Sequence, residues 1–302
     1  MINVGIVGGD DHLAGELIRI LVNHPDVVIR GVCCPTLDGH DITSVHHGLI
    51  GETALKFSSD LDFGKLNVLF VTLAPGLPRD FIPDVHSMPE LCVIDLYADI
   101  EEARATDSLV VYGIPEINRK ALVRGARRAV IPSAIETIAA IALYPLALKS
   151  MLPDSLACGV EIDSDTLSKP VTSFPEKILQ PLNSSRPLHL TYDVKASSIP
   201  RLVSLRATVP SPMPIDNVME LYDEIYDDHD LTHVINRDVD FREVTGTDKC
   251  IVSVTKDDNG MLHIHAIADA ALRGGAGDAV HVMNLLNGLY EKTGLTLKAN
   301  CF

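Results

Sequence analysis

The sequence predicts a doubly wound α/β domain followed by a mixed α+β domain, and two observations carry this prediction. In the first part of the chain, short and continuously apolar segments flank a helical segment, as in a parallel sheet that is buried on both faces. Beyond about residue 134, apolar and polar residues alternate instead, as in antiparallel strands with one buried face. We therefore expect one domain over residues 1–134 and a second over 135–279.

The individual elements follow from these patterns. In the first domain, buried strands are predicted at 2–8, 27–34, 68–73 and 92–96, and an amphipathic helix at 15–23. In the second, strands are predicted at 202–209, 250–255 and 261–268, and helices at 135–150, 213–226 and 276–290. Pro145 is expected to interrupt the first of these helices, and Asp216 to cap the second.

Composition excludes several classes of function. The 302 residues carry 41 acidic and 25 basic side chains, a net charge of −16, which argues against nucleic-acid binding. No apolar run is long enough for a transmembrane helix, and the first nine residues resemble a strand more than a signal peptide. The six cysteines lack C-x-x-C spacing, so we expect reduced, buried thiols, no metal, and a cytoplasmic protein without membrane contact.

A strand, a glycine turn and a helix within 25 residues form the opening of a Rossmann-like, dinucleotide-binding fold. Such a turn uses three glycines, so that backbone N–H groups can approach the pyrophosphate and the helix can pack on the strand. Here Gly8 and Gly9 are followed by Asp10 and Asp11, two carboxylates where an anionic pyrophosphate would lie. The alternative interpretation is an ordinary helix capped by an aspartate, without a nucleotide.

Several stretches together resemble the N-acetyl-gamma-glutamyl-phosphate reductase family, which is related to aspartate-semialdehyde dehydrogenase. They are INVGIVG (2–8), ELIRILVNHPDV (16–27), VIDLYADI (93–100), YGIPEINR (112–119), LACGVEIDSD (156–165), VTGTDKC (244–250) and RGGAGDAVHVMNLLNGLYEKTGL (273–295). The resemblance runs almost end to end. It implies NADP as cofactor, a homo-oligomer, and a C-terminal helix (about 280–302) that packs back on the first domain.

The family reaction is a reductive dephosphorylation. A cysteine thiolate attacks an acyl phosphate, and a hydride from NADPH reduces the thioester to the semialdehyde. The family places this cysteine in an Asn-Pro-Gly-Cys-Tyr-x-Thr stretch, which reads here as residues 131–137 with Pro132 and Thr137 in register. The nucleophile position is therefore Ala134, which cannot form a thioester. Ser133 lies one residue away, and His189 is the nearest candidate for the family's catalytic histidine.

Positions that handle the cofactor in the family differ in the same way. Gly8 is kept, but the second and third glycines of the turn fall on Asp11 and Ala14, and a Ser-Arg pair suited to a 2′-phosphate falls on Cys34 and Pro35. An Asp-Leu-Ser-Ala-Asp-Phe-Arg stretch carries two further replacements, Tyr97 and Glu101. Near the C-terminus, Gly274, Gly277 and Asn284 match the family. These replacements count against NADP binding.

Other clusters are expected to be structural. The acidic segment 222–230 with His229 could hold a cation, but a solvated helix end explains it better. Neighbouring His46 and His47 would point to opposite faces of a strand. His263 and His265 share a strand face without a third ligand, and we expect them on a solvent-facing edge.

The chain thus matches the family where residues build the fold and departs from it where residues carry the chemistry. This pattern predicts a catalytically inactive homologue, a pseudoenzyme that acts as a partner or regulatory subunit, for example of an active paralogue. Two alternatives stay open. One is an active semialdehyde-dehydrogenase-type enzyme with an unrecognised nucleophile, and the other is a small-ligand binding protein that tolerates Asp10, Asp11 and Glu101.

Overall fold

The computed structural model describes residues 1–299 except 75, 78, 80, 81, 83–86, 89, 165–170 and 185–186. The chain divides into two compact units: unit 1 is Met1–Pro132 with Gly275–Thr296, and unit 2 is Ser133–Gly274 with the residues from Leu297 on. The divisions lie a few residues before the expected ones at 134 and 279. Ser133 belongs to unit 2 because it caps that unit's first helix.

Unit 1 is built on a parallel sheet. Its strands are β1 (Ile2–Val7), β2 (Val27–Cys33), β3 (Phe57–Ser58), β4 (Val68–Val71), β5 (Cys92–Asp95), β6 (Val111–Tyr112) and β7 (Arg128–Val130), in the order β3-β2-β1-β4-β5-β7-β6. Every pairing in this sheet is parallel. The predicted Rossmann-like, doubly wound architecture is confirmed.

The helices of unit 1 are α1 (His12–Leu21), α2 (Ile100–Thr106), α3 (Pro115–Val123) and, from the end of the chain, α7 (Ala276–Leu286). Helix α1 buries one apolar stripe, which includes Leu13, Leu17 and Leu21. Helix α7 is buried on all sides over its first ten residues and contacts α1, α3 and β5. The C-terminal helix therefore returns to the first unit along the chain.

Unit 2 has a mixed sheet. Its strands are β8 (Ser155–Asp163), β9 (His189–Ser197), β10 (Leu202–Pro210), β11 (Thr232–Ile235), β12 (Cys250–Lys256) and β13 (Met261–Asp269), in the order β11-β12-β13-β10-β8-β9. The central pairings are antiparallel, as predicted, and the two outer ones are parallel. Helices α4 (Ala134–Leu148), α5 (Phe174–Leu182) and α6 (Ile215–Tyr226) complete the unit, with α4 packed on β10 and β13.

Two local predictions were wrong. Helix α4 continues through Pro145 to Leu148, because it is buried on nearly all sides and its packing outweighs the lost backbone hydrogen bond. Asp216 does not cap α6, since the N-cap residue is Pro214 and Asp216 lies in the first turn, where the helix dipole favours its charge. Among the described residues, no helix is both long and apolar enough to span a bilayer.

Candidate functional site

The glycines of the turn after β1 are explained by neighbouring protein atoms. Gly8 has φ +84°, and a Cβ there would lie 2.7 Å from the carbonyl oxygen of Thr72. A Cβ on Gly9 would lie 2.5 Å from the Val32 side chain. Distances this short exclude any larger residue. Both glycines are therefore required for packing against β2 and the end of β4, whether or not a ligand binds.

Asp11 occupies the N-terminus of α1. It is the N-cap residue, with an extended backbone (φ −69°, ψ 147°) that needs no glycine, and its Oδ1 accepts a hydrogen bond from Leu13 N at 2.8 Å. Its Oδ2 accepts a hydrogen bond from the Tyr97 hydroxyl at 2.9 Å. A helix N-terminus favours a negative group, and here the chain supplies that group itself.

The turn after β5 fixes Tyr97. Asp95 is buried and its Oδ1 accepts hydrogen bonds from Tyr97 N at 2.9 Å and Ala98 N at 2.8 Å, while its other oxygen pairs with Arg79. Arg79 also donates to the carbonyl of Leu73 at 2.7 Å. These contacts hold the Tyr97 backbone in place, so its hydroxyl has a fixed partner in Asp11 at the N-terminus of α1.

His46 fills the space beside the first turn of α1. Its Nε2–H donates to the carbonyl of Gly9 at 2.6 Å, and a Cβ on Gly15 would lie only 2.4 Å from its Nδ1. His46 and His47 do not lie in a strand. His46 is the N-cap residue of a short 3₁₀ helix, His47–Leu49. No local sequence feature indicated that His46 would reach the glycine turn.

The position after β2 carries no charge. Cys34 is buried, and its Sγ lies 3.3 Å from the Thr36 hydroxyl. Pro35 begins a 3₁₀ helix that ends at Leu37. Neither residue can pair with a phosphate as a guanidinium does. Asp11 and Cys34, two positions predicted to meet the cofactor, therefore offer a carboxyl group and a thiol.

Ala134, which the family resemblance predicts at the nucleophile position, is the first residue of α4. Ser133 before it is the N-cap residue and forms a capping box with Glu136. Ser133 N and Oγ both donate to Glu136 Oε2, at 2.9 and 2.8 Å. Thr172 N and Oγ1 donate to Glu136 Oε1, at 2.8 and 2.6 Å. The side chains of Ser133, Glu136 and Thr172 are thus bonded to one another at this helix end.

Gly274 explains how closely the chain approaches this position. Its φ is +69°, and a Cβ there would lie 2.4 Å from both N and Cα of Ala134. Of the predicted site residues in unit 2, the structure therefore brings Ala134 and Gly274 together. His189 instead lies at the start of β9, with most of its side chain exposed and its Nδ1 3.4 Å from Glu176. Its catalytic role stays a prediction.

The described cysteines share one property. All five are buried: Cys33, Cys34, Cys92, Cys158 and Cys250. Burial raises the pKa of Cys158 to about 12, and burial together with nearby Cys34 and acidic groups also raises the pKa of Cys33. A thiol with a raised pKa is a poor source of thiolate. Cys301 lies outside the described residues.

The remaining predicted residues lie on α7. Gly277 is buried in its first turn. The amide of buried Asn284 has three protein partners: its Oδ1 accepts from His24 at 3.1 Å, and its Nδ2 donates to the carbonyls of Glu291 and Thr293 at 3.0 and 2.8 Å. These contacts support a structural role for Asn284, while its part in cofactor binding stays a prediction.

The prediction that both histidines of β13 lie on a sheet edge was wrong. Strand β13 lies inside the sheet between β12 and β10, so neither histidine is at an edge. His263 is half-exposed and pairs with Asp257 at 3.2 Å. His265 is largely buried beside the Ser204 hydroxyl at 2.9 Å, and burial, assisted by Arg206 and opposed by Asp238, lowers its pKa to about 4.

Comparison with known proteins identifies the class. The family described as semialdehyde dehydrogenase, NAD binding domain, matches residues 3–124. Aspartate semialdehyde dehydrogenase II of Vibrio cholerae complexed with ASA has a TM-score of 0.69 at 14% identity, covering 96% of this chain and 99% of that chain. Aspartate semialdehyde dehydrogenase with NADP from Candida albicans gives 0.67 at 13% identity, covering 95% and 98%. The first part of the chain thus matches the NAD-binding domain of the semialdehyde dehydrogenases, and the chain has the fold of the solved aspartate semialdehyde dehydrogenases.

Full-length relatives narrow this class to one family. The N-acetyl-gamma-glutamyl-phosphate reductase of Phocaeicola vulgatus is 32% identical over 326 residues, and that of Parabacteroides distasonis is 34% identical over 329 residues. Each alignment covers 100% of this chain and 100% of the relative. The chain therefore belongs to the N-acetyl-gamma-glutamyl-phosphate reductase family, as the sequence motifs predicted.

Proposed function

We propose that this chain is a homologue of N-acetyl-gamma-glutamyl-phosphate reductase that does not catalyse the reductive dephosphorylation of N-acetylglutamyl phosphate. The observation that carries the proposal is Ala134 at the first position of α4, where the family has its cysteine. Without a thiol at this position no thioester forms, and a thioester is the species that the hydride reduces.

Ser133 does not offer a substitute nucleophile. Its hydroxyl donates to Glu136 at 2.8 Å and accepts from Glu136 N at 3.4 Å, so both its donor and acceptor functions serve the helix cap. Glu136 accepts hydrogen bonds on both carboxylate oxygens, from Ser133 and from Thr172, as part of this cap. The Glu136 side chain is also buried. These contacts support a structural role for both side chains.

The residues present do not fit the family's cofactor. NADP carries a pyrophosphate and a 2′-phosphate, and the positions that would meet them hold Asp11 and the uncharged pair Cys34 and Pro35. The backbone geometry of a dinucleotide-type domain is retained, but the groups that neutralise phosphates are not. For this reason we assign no hydride transfer to this chain.

A retained scaffold without this chemistry fits a partner or regulatory subunit, for example of an active paralogue of the same family. The stretches shared with the family include the contacts of Asn284 with His24 and the pair of Arg119 with Glu291, and these contacts stabilise unit 1. Mixing the purified chain with an active reductase, followed by size-exclusion chromatography and rate measurements, tests this part. An unchanged elution profile and an unchanged rate would contradict it.

The central test separates the nucleophile from the cofactor. Purified protein is incubated with N-acetylglutamyl phosphate without cofactor, and acylation is followed by intact mass spectrometry. A second assay measures phosphate-dependent oxidation of N-acetylglutamate semialdehyde with NADP. We expect neither acylation nor turnover in the wild type, and acylation in Ala134→Cys. Acylation of the wild type would overturn the proposal, and Ser133→Ala would then show whether Ser133 carries the acyl group.

A further inference from the structure

We infer that Asp11, held by Tyr97, is a built-in anion that takes the place of the cofactor's pyrophosphate and excludes dinucleotides from unit 1. This inference rests on the proposed function, because it treats the glycine turn as a former cofactor site. It goes beyond the missing thiol, because it names the residue that decides ligand specificity at a different position.

Four backbone N–H groups of the turn and of the start of α1 already donate to groups of the chain itself. Asp11 N donates to the carbonyl of Gly8 at 3.0 Å, and Gly9 N donates to the carbonyl of Cys33 at 3.0 Å. Leu13 N donates to the Asp11 carboxylate at 2.8 Å, and Gly15 N to the Asp11 carbonyl at 3.2 Å. In a dinucleotide-binding turn, such N–H groups face the pyrophosphate. Here a ligand would have to displace the carboxylate of Asp11 from Leu13.

Tyr97 makes the displacement of the Asp11 carboxylate costly. The carboxylate of Asp11 is bonded on both oxygens, to Leu13 N and to the Tyr97 hydroxyl at 2.9 Å. Tyr97 is itself fixed, since its backbone N–H donates to the buried Asp95. Rotation of the Asp11 side chain away from the helix end would break both bonds and leave the Tyr97 hydroxyl, a mostly buried group, without this partner.

The His46 ring limits the space beside the glycine turn. The room that Gly15 leaves beside the first turn of α1 is filled by the His46 ring, which is anchored on the Gly9 carbonyl at 2.6 Å. A pyrophosphate would therefore meet a like charge at Asp11 and an occupied surface at Gly15. Near a protein surface, two charges of the same sign at contact distance repel each other by more free energy than a single hydrogen bond to a ligand contributes.

The experiment compares four variants with the wild type, using NADH as the main probe because it has no 2′-phosphate and does not need a partner at Cys34. Binding is measured by fluorescence and calorimetry, with NADPH in parallel. Asp11→Asn keeps a good N-cap but removes the charge, and Asp11→Gly restores the glycine of the fingerprint. Tyr97→Phe removes only the hydroxyl, and Asp10→Asn removes the neighbouring charge as a matched control. Urea denaturation checks that each variant folds.

We expect no saturation by millimolar NADH for the wild type and for Asp10→Asn. Asp11→Asn should bind at least about tenfold more tightly than the wild type, since it loses the charge repulsion at the helix N-terminus. Asp11→Gly should bind more tightly still, because it also frees Leu13 N. Tyr97→Phe should gain less than either, since the carboxylate stays in place.

Two results would overturn the inference. One is micromolar binding of NADH or NADPH by the wild type. The other is folded Asp11→Asn and Asp11→Gly variants that bind no better than Asp10→Asn. Cofactor binding by the wild type without acylation by acyl phosphate would overturn this inference and leave the proposed function standing. Acylation of the wild type without cofactor binding would do the reverse.

Discussion

Gly274 shows why a family glycine can persist when the chemistry around it has changed. Its Cα lies against the backbone of Ala134, and its φ of +69° is rare for any residue with a side chain. The contact involves only main-chain atoms of Ala134, so it does not depend on which side chain stands there. Replacing a cysteine by alanine at position 134 would leave the requirement for glycine at position 274 unchanged.

Gly274→Ala should therefore be strongly destabilising. Its new Cβ would lie 2.4 Å from the Ala134 backbone, in addition to the strain of a positive φ. We expect a loss of about 3–4 kcal/mol in the free energy of unfolding, from urea titrations. Gly246→Ala is the matched control: its φ is +73° and nothing lies within 4 Å, so only about 1–2 kcal/mol should be lost. Equal losses for both variants would contradict the steric account.

Helix α7 is joined to the rest of unit 1 by buried polar contacts as well as by apolar packing. His281 donates to Glu291 Oε2 at 3.0 Å, and Arg119 of α3 donates to the same oxygen at 2.9 Å. Burial by itself raises the pKa of Glu291, but the hydrogen bonds and charges of His281 and Arg119 outweigh it and leave the pKa below its usual value. The carboxylate thus stays charged and connects α3, α7 and the C-terminal turn.

Asn284 lies one turn further along the same face of α7 and also contacts Glu291. Asn284→Ala should lose about 2–4 kcal/mol of unfolding free energy, because it leaves His24 Nε2 and the carbonyls of Glu291 and Thr293 without their partner. Asn287→Ala removes one bond, from Nδ2 to the Met283 carbonyl, in a less buried position. We expect about 1 kcal/mol there. Similar losses in the two variants would argue against the structural role of Asn284.

His265 on β13 should make the stability of unit 2 depend on pH. Its pKa is about 4 in the folded chain and 6.5 when exposed, so between these values the unfolded chain binds the proton and the folded chain does not. Stability should be complete above pH 6.5 and fall by about 2–3 kcal/mol as the pH falls to 4. Urea titrations across this range measure the effect.

Two variants isolate this contribution. His265→Gln keeps a group that can reach Ser204 but does not titrate, so its stability should decline less between pH 6.5 and 4. His263→Gln changes the half-exposed histidine on the same strand face and serves as the comparison variant. If His265→Gln followed the wild-type curve, another group would be responsible.

The sequence predicted the elements whose local pattern is strong and missed those that depend on distant contacts. Strands β1, β4 and β5 are continuous apolar runs, whereas β9 is mostly exposed and β6 has only two residues, so neither shows a pattern by itself. Helix α1 begins at His12 rather than Gly15, because the cap by Asp11 extends it.

The site shows the same division. Alignment with the family's sequence motifs was enough to select Ala134 and Asp11 as candidate site positions. The contact of Asp11 with Tyr97 spans 86 positions and that of Glu136 with Thr172 spans 36, and no local pattern encodes either.

The net charge of −16 affects the stability of the whole chain. Helix α6 illustrates the effect, since it contains like charges four residues apart, such as Asp216 with Glu220, and no basic side chain in its last turn. Such pairs each cost about 0.2–0.5 kcal/mol at low salt. The repulsion is screened as salt is added, because the Debye length falls from about 30 Å at 0.01 M to about 8 Å at 0.15 M.

The melting temperature should therefore rise between 0.01 and 0.15 M NaCl, as scanning calorimetry can measure. Asp223→Lys, which places a positive charge among the acidic residues of α6, should melt higher at low salt and gain less from added salt. Lys177→Asp on α5 changes the net charge by the same amount in the opposite direction. It should lower the melting temperature at low salt and increase the gain from added salt. A melting temperature that does not change with salt would show that the self-repulsion is negligible.

Because Asp11 caps α1 from within the chain, the fold of unit 1 has no need of a nucleotide to complete that helix. Proteins that rely on a cofactor for stability are protected from degradation in proportion to how much cofactor the cell contains. This chain should turn over at the same rate in starved and well-fed cells, however the nicotinamide pool shifts between its oxidised and reduced forms. Its abundance would then not follow the size of the nicotinamide pool.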